Sequence, residues 1–139
     1  MTTTLKLKAK DAEDLQVISA VLQDAIAPVV DLHYLANEKN FVMVVQRLCR
    51  DHAANEKNER VCCAFNLRGV EHVQTHGFDP ADTDVMLELL ALLPEGDELQ
   101  LVFASDARIK LSLKDWSLIV EDFGERWPAQ CDPCHESEV

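Results

Sequence analysis

The chain has 139 residues, 47% of them apolar, and 13 Lys and Arg stand against 25 Asp and Glu for a formal charge of −12. That is material for one domain with a core, which excludes wholesale disorder. The acidic balance excludes the basic footprint that nucleic-acid or anionic-membrane binding needs.

Leu5, Leu7 and Ala9 alternate with Lys6, Lys8 and Lys10, a short strand whose lysines guard a sheet edge. Asp11 then caps a helix in which Leu15, Ile18, Leu22 and Ala25/Ile26 recur at helical spacing, with Glu13 and Asp14 in the first turn; Pro28 ends it. A hairpin follows, with Leu32 to Ala36 and Phe41 to Leu48 flanking the polar turn Asn37-Glu38-Lys39-Asn40. The polar stretch Arg50 to Glu59 is expected as an exposed loop.

Val61, Cys63, Phe65 and Leu67 form the clearest strand, and the phase change after Gly69 points to a bulge or bend there. Gly77-Phe78-Asp79-Pro80 is turn chemistry. Val85 to Leu93 fits both a helix, capped by Asp82 or Thr83, and a strand; alternation and the following Pro94-Glu95-Gly96-Asp97 turn favour the strand. Leu99, Leu101 and Phe103, then Ile109, Leu111 and Leu113, make two more strands around Ser105-Asp106-Ala107. Asp115 is read as the cap of a last helix carrying Trp116, Ile119, Val120 and Phe123, closed by Gly124.

The expected fold is therefore α+β: a strongly bent antiparallel sheet of about six or seven strands, a helix after strand 1 and a C-terminal helix. A pleckstrin-homology-like barrel plugged by the terminal helix is one version. Residues 1–128 form the domain, and 129–139 an acidic flexible tail.

The N-terminus lacks a signal-like apolar stretch and no run approaches a bilayer span, so a soluble cytoplasmic protein is expected. The five cysteines, Cys49, Cys62, Cys63, Cys131 and Cys134, are an odd count that suits a reducing compartment. Cys62 and Cys63 should point to opposite faces of their strand, with Cys63 as a small core residue.

The segments Leu7-Lys8-Ala9-Lys10-Asp11-Ala12-Glu13-Asp14-Leu15-Gln16-Val17-Ile18-Ser19-Ala20 and Leu22-Gln23-Asp24-Ala25 resemble an uncharacterised proteobacterial domain-of-unknown-function family of small cytoplasmic proteins. Further likenesses are Phe41-Val42-Met43-Val44-Val45-Gln46-Arg47, Arg68-Gly69-Val70 and Glu121-Asp122-Phe123-Gly124-Glu125-Arg126-Trp127-Pro128, so that the resemblance covers about residues 5–128. It implies a single bacterial cytoplasmic domain and no catalytic residue.

Candidate chemistry is sparse. Cys131-Asp132-Pro133-Cys134-His135 has the spacing of c-type haem attachment, which needs export. The same three side chains offer zinc ligands, with His72, His76 or Cys62 as a fourth. His72 and His76, near Glu71, are the other metal or acid–base candidates. Asp79, Asp82 and Asp84 crowd one loop, but Pro80 and Thr83 break the calcium pattern. There is no Gly-rich phosphate loop and no G-x-S-x-G. Two functions are therefore carried forward. The first is a non-catalytic interaction module with no cofactor, whose open sheet edge or sheet–helix groove takes another cytoplasmic protein, a basic one by charge. The second is a small metal protein or enzyme using His72, His76 and Asp79, with the cysteine tail.

Overall fold

The computed structural model describes residues 5–49 and 59–128. Of the loop expected at 50–59, residues 50–58 lie outside them and Glu59 opens a strand; the tail expected at 129–139 also lies outside them. Strand β1 (Lys6–Ala9) leads into helix α1 (Ala12–Leu22). Then come β2 (Ile26–Pro28), β3 (Leu32–Leu35), β4 (Asn40–Cys49), β5 (Glu59–His76), β6 (Met86–Glu95), β7 (Glu98–Phe103) and β8 (Arg108–Pro128).

All strand pairings are antiparallel, along the path β1-β8-β5-β4-β2-β6-β7. The first part of β8 also pairs with β7, Leu111 facing Leu99 and Ile109 facing Leu101. The path from β8 through β5, β4, β2, β6 and β7 thus returns to β8, which requires strong bending. β3 pairs with β4 beside this path.

Period-two alternation puts Phe41, Met43 and Val45 of β4 and Cys63, Phe65 and Leu67 of β5 inside. Phe41 and Phe65 meet edge to face, centroids 6.3 Å apart. Helix α1 begins where expected: the Asp11 carboxylate accepts from the Asp14 amide at 2.8 Å. It adds Leu15, Ile18 and Leu22 to the core. The Leu92 amide donates to Ser19 Oγ at 2.9 Å, so the helix takes over from β2 along β6, next to the register break between Leu89 and Ala91.

Two expectations fail. The helix stops at Leu22 and does not reach Ile26. Asp24 turns the chain at positive φ, and its amide and the Ala25 carbonyl bond to Leu89, which draws the backbone into β2. The helix expected at 115–124 is also absent, and with it the plug it would have made in a pleckstrin-homology-like barrel. Residues 115–124 lie inside β8, paired to β5 on one side and, at 118–121, to β1 on the other. Asp115 is no cap: it sits at φ 50 in the bend opposite Gly69, and Leu118, Val120 and Asp122 then alternate inward.

Gly69 at φ 90 explains the bend foreseen there. A Cβ on it would lie 2.5 Å from Lys114 O and 2.7 Å from Trp116 Cα. The long strands β5 and β8 bend together at that point, with register shifts on either side of Val70. The Ser105-Asp106 turn joins β7 to β8 with both residues at positive φ, the hairpin geometry that suits sheet twist. The hairpin read from 32–36 and 41–48 is found as β3 and β4, and the strand read at 85–93 as β6, shifted to 86–95.

Candidate functional site

Among the described residues, β1 and β3 each pair with a strand on one side alone, and their sequences treat the other side differently. β1 carries exposed Lys6 and Lys8, a usual guard against added strands. β3 reads Leu-His-Tyr-Leu, with no fixed charge and no proline, and pairs with β4 alone among the described residues. Val30 and Leu35, before and at the end of β3, are exposed apolar side chains.

Beside this edge the sheet opens into a hollow of about 160 Å³. Its lining is mainly apolar: Val29 and Leu32, Tyr34 from β3, buried Phe41 and Ile109 as floor, Val73 from β5, and Phe78 with Pro80 from the loop before β6. His33 and Thr75 add the polar rim. Leu32 and Tyr34 face the core because they alternate with exposed His33 and Leu35. The Tyr34 hydroxyl donates to the Val70 carbonyl at 2.6 Å, bracing β3 against β5.

The loop that supplies Phe78 and Pro80 is acidic and preformed. The Asp79 carboxylate accepts from the Ala81 amide at 2.9 Å, and the Asp82 carboxylate from the Asp84 amide at 3.2 Å. These are turn-forming bonds between near neighbours. Asp79, Asp82 and Asp84 are all exposed, so the hollow has a negative rim on that side.

The sequence candidates scatter. His72 and His76 are both exposed on β5 but line different depressions, His72 with Lys10, Glu71, Asp97 and Lys114, His76 with Arg108 and Lys110. Asp79 is engaged in its turn. Among the described residues, no three His, Cys, Asp or Glu side chains are grouped to hold a metal. Cys131, Cys134 and His135 lie outside the described residues. Cys62 faces outward and Cys63 inward, as their adjacency in a strand requires. Burial, then the Asp122 carboxylate, pushes the Cys63 thiol up to about 12, which makes it a poor nucleophile.

One buried polar group was not foreseen from the sequence. Arg47 and Asp122, each 5% exposed, form a two-pronged ion pair inside the sheet. The signal for it was phase: Arg47 falls between inward Val45 and Cys49, and Asp122 two residues after inward Val120.

A family model described as Protein of unknown function (DUF2948) matches residues 5–135. The chain belongs to DUF2948. No curated protein and no solved structure matches it. The match runs seven residues past the likeness read at 5–128, so Cys131, Cys134 and His135 of this DUF2948 chain fall within it.

Proposed function

We propose that this DUF2948 protein is a non-catalytic cytoplasmic interaction module that receives an extended, basic peptide along the open edge of β3. The observation that carries this reading is an unguarded edge strand lying against an apolar hollow. An added strand gains main-chain hydrogen bonds from such an edge, and alternate side chains find pockets beside it. About 160 Å³ suits one leucine- or phenylalanine-sized anchor. The acidic loop at Asp79, Asp82 and Asp84 and the net charge of −12 favour lysine or arginine on either side of that anchor. Cys62 and Cys63 are free thiols, which suits a reducing compartment.

The test is a fluorescence-anisotropy titration with a peptide alternating lysine with leucine and phenylalanine, mapped by amide chemical shifts. Shifts should centre on β3, Val73 and Phe78. Phe78→Ser should weaken binding about tenfold, the value of one well-seated apolar anchor. A glutamate-for-lysine peptide that binds equally well, or shifts centred elsewhere, sinks the reading.

A further inference from the structure

We propose that a second site, on the outer face where β5 meets the start of β8, binds a small phosphate monoester. This goes beyond the peptide reading and rests on different residues, Thr75 alone bordering both hollows. An open hollow of about 700 Å³ is lined there by Gln74, Thr75, His76, Asp106, Arg108 and Lys110.

The register builds the site. Arg108 lies directly opposite His76 on β5 and Val102 on β7, and Lys110 directly opposite Gln74 and Gln100. Ile109 and Leu111 are buried, so Arg108 and Lys110 share the outward face, all four of Arg108, Lys110, His76 and Gln74 being exposed. Partners across antiparallel strands stand about 5 Å apart at Cβ. Residues two apart along a strand stand about 7 Å apart. Four donor-bearing side chains thus mark out a patch the size of one phosphate group.

The patch gathers two cations on adjacent outward positions of one strand. Acidic residues outnumber basic ones by 25 to 13, yet no strand neighbour of Arg108 or Lys110 is a carboxylate. Three cations elsewhere are paired, Arg47 with Asp122, Lys39 with Glu71 and Arg126 with Glu59, while Lys6, Lys8, Lys10, Arg68 and Lys114 have no ion pair among the described residues. Arg108 and Lys110 have no ion-pair partner among the described residues. Two like charges on adjacent outward positions repel each other, and an oxyanion between them relieves that. The neighbouring depression at His72 is a useful contrast, because Glu71, Asp97 and Asp115 there outweigh Lys10 and Lys114. At the proposed site Asp106 is the sole carboxylate among the described residues of the lining. The net negative charge of the rest of the chain acts weakly, being screened beyond about 8 Å at physiological ionic strength. Arginine's fork and lysine's point charge are both standard phosphate binders.

The experiment is an amide chemical-shift titration of the whole chain with glycerol 3-phosphate and with inorganic phosphate, against chloride at equal ionic strength. Both phosphates should give saturable shifts at Gln74, His76, Arg108 and Lys110, with Kd of about 1 mM or tighter. The double variant Arg108→Gln/Lys110→Gln should weaken binding about tenfold or more, since two charge-assisted contacts go. Asp106→Asn should tighten it about threefold by removing the one repelling charge, and asparagine tolerates the positive φ of that turn. Linear shifts matching those of chloride overturn the proposal. So does unchanged affinity in the double variant, or binding to phosphatidic-acid vesicles without binding to either soluble phosphate.

Discussion

Arg47 and Asp122 lie 75 residues apart in sequence and meet in the interior, Nε to Oδ1 at 3.0 Å and Nη2 to Oδ2 at 2.6 Å. The pair joins β4 to β8 across β5. Asp122 also bonds both ways with Leu5, its Oδ2 accepting from the Leu5 amide at 3.3 Å and its amide donating to the Leu5 carbonyl at 2.9 Å. It therefore fixes the N-terminal strand as well. Burial opposes the Arg47 charge, but the hydrogen bonds and charge of Asp122 more than offset this and raise its pKa. Removing one partner leaves an uncompensated buried charge, whereas replacing both with apolar side chains does not. Asp122→Ala should lower unfolding free energy by about 3–5 kcal/mol, and Arg47→Met/Asp122→Leu by clearly less. Urea denaturation of the two variants checks this; a double variant as unstable as the single one refutes it.

Gly69 gives a backbone prediction. Its φ of 90 disfavours any side chain, and the Lys114 carbonyl and Trp116 Cα occupy the space a Cβ needs. Both neighbours are main chain, so neither yields cheaply. Gly69→Ala should cost about 2–4 kcal/mol, the sum of strain and a forced shift of β8. The comparison is Gly96→Ala, at positive φ but with open space around its Cβ, which should cost less. Thermal unfolding of both variants decides the order.

These two residue sets also show how far the sequence could be read. Alternation exposed β1, β4, β5 and β7 because one face of each is nearly all apolar. It failed at 115–124 because the inward row there is Leu118, Val120 and Asp122: the third member is charged, and its partner Arg47 is on another strand. Trp116, Ile119, Val120 and Phe123 then mimic a helical stripe, with Asp115 and Gly124 as false caps. β2 was missed because its three residues hold no pattern of their own, their place being set by backbone bonds to β6. The hollow beside β3 was illegible for a related reason. Its walls come from β3, β4, β5, β8 and a loop, so only the closed pairing path assembles them. The histidines, by contrast, were legible as residues but not as a site, since their separation along β5 sends them to different depressions.

Cys63 predicts alkaline behaviour. Its thiol is held neutral in the fold up to about pH 12, against an ordinary value of 9.0, by burial first and Asp122 second. The folded state therefore keeps a proton that the unfolded state loses. Stability from this source is complete below pH 9 and is lost as pH rises from there towards 12. The slope is at most about 1.4 kcal/mol per pH unit. Urea denaturation between about pH 9 and 11 should show a steeper loss for the native chain than for Cys63→Ala. Equal slopes would remove Cys63 as the cause.

Tyr34 links the stability of the hollow to its use. Its ring forms part of the wall, and its hydroxyl, donating to the Val70 carbonyl at 2.6 Å, spans from β3 to β5. Val70 is itself buried, and its amide donates to the Lys39 carbonyl in the turn before β4. One hydroxyl thus ties the open edge strand to the bend at Gly69. Tyr34→Phe keeps the apolar wall and removes the tie, at a cost of about 1 kcal/mol for one net hydrogen bond. Amide hydrogen exchange should then quicken in β3 and leave α1 and β7 unchanged, because only the local bracing is lost. The lysine–leucine–phenylalanine peptide should still bind, since its anchor meets the same apolar surface, but more weakly, because β3 must first be ordered as a template. Loss of all binding in Tyr34→Phe would instead mean that the hydroxyl contacts the peptide directly, and the edge-strand account of the site would have to be redrawn around it.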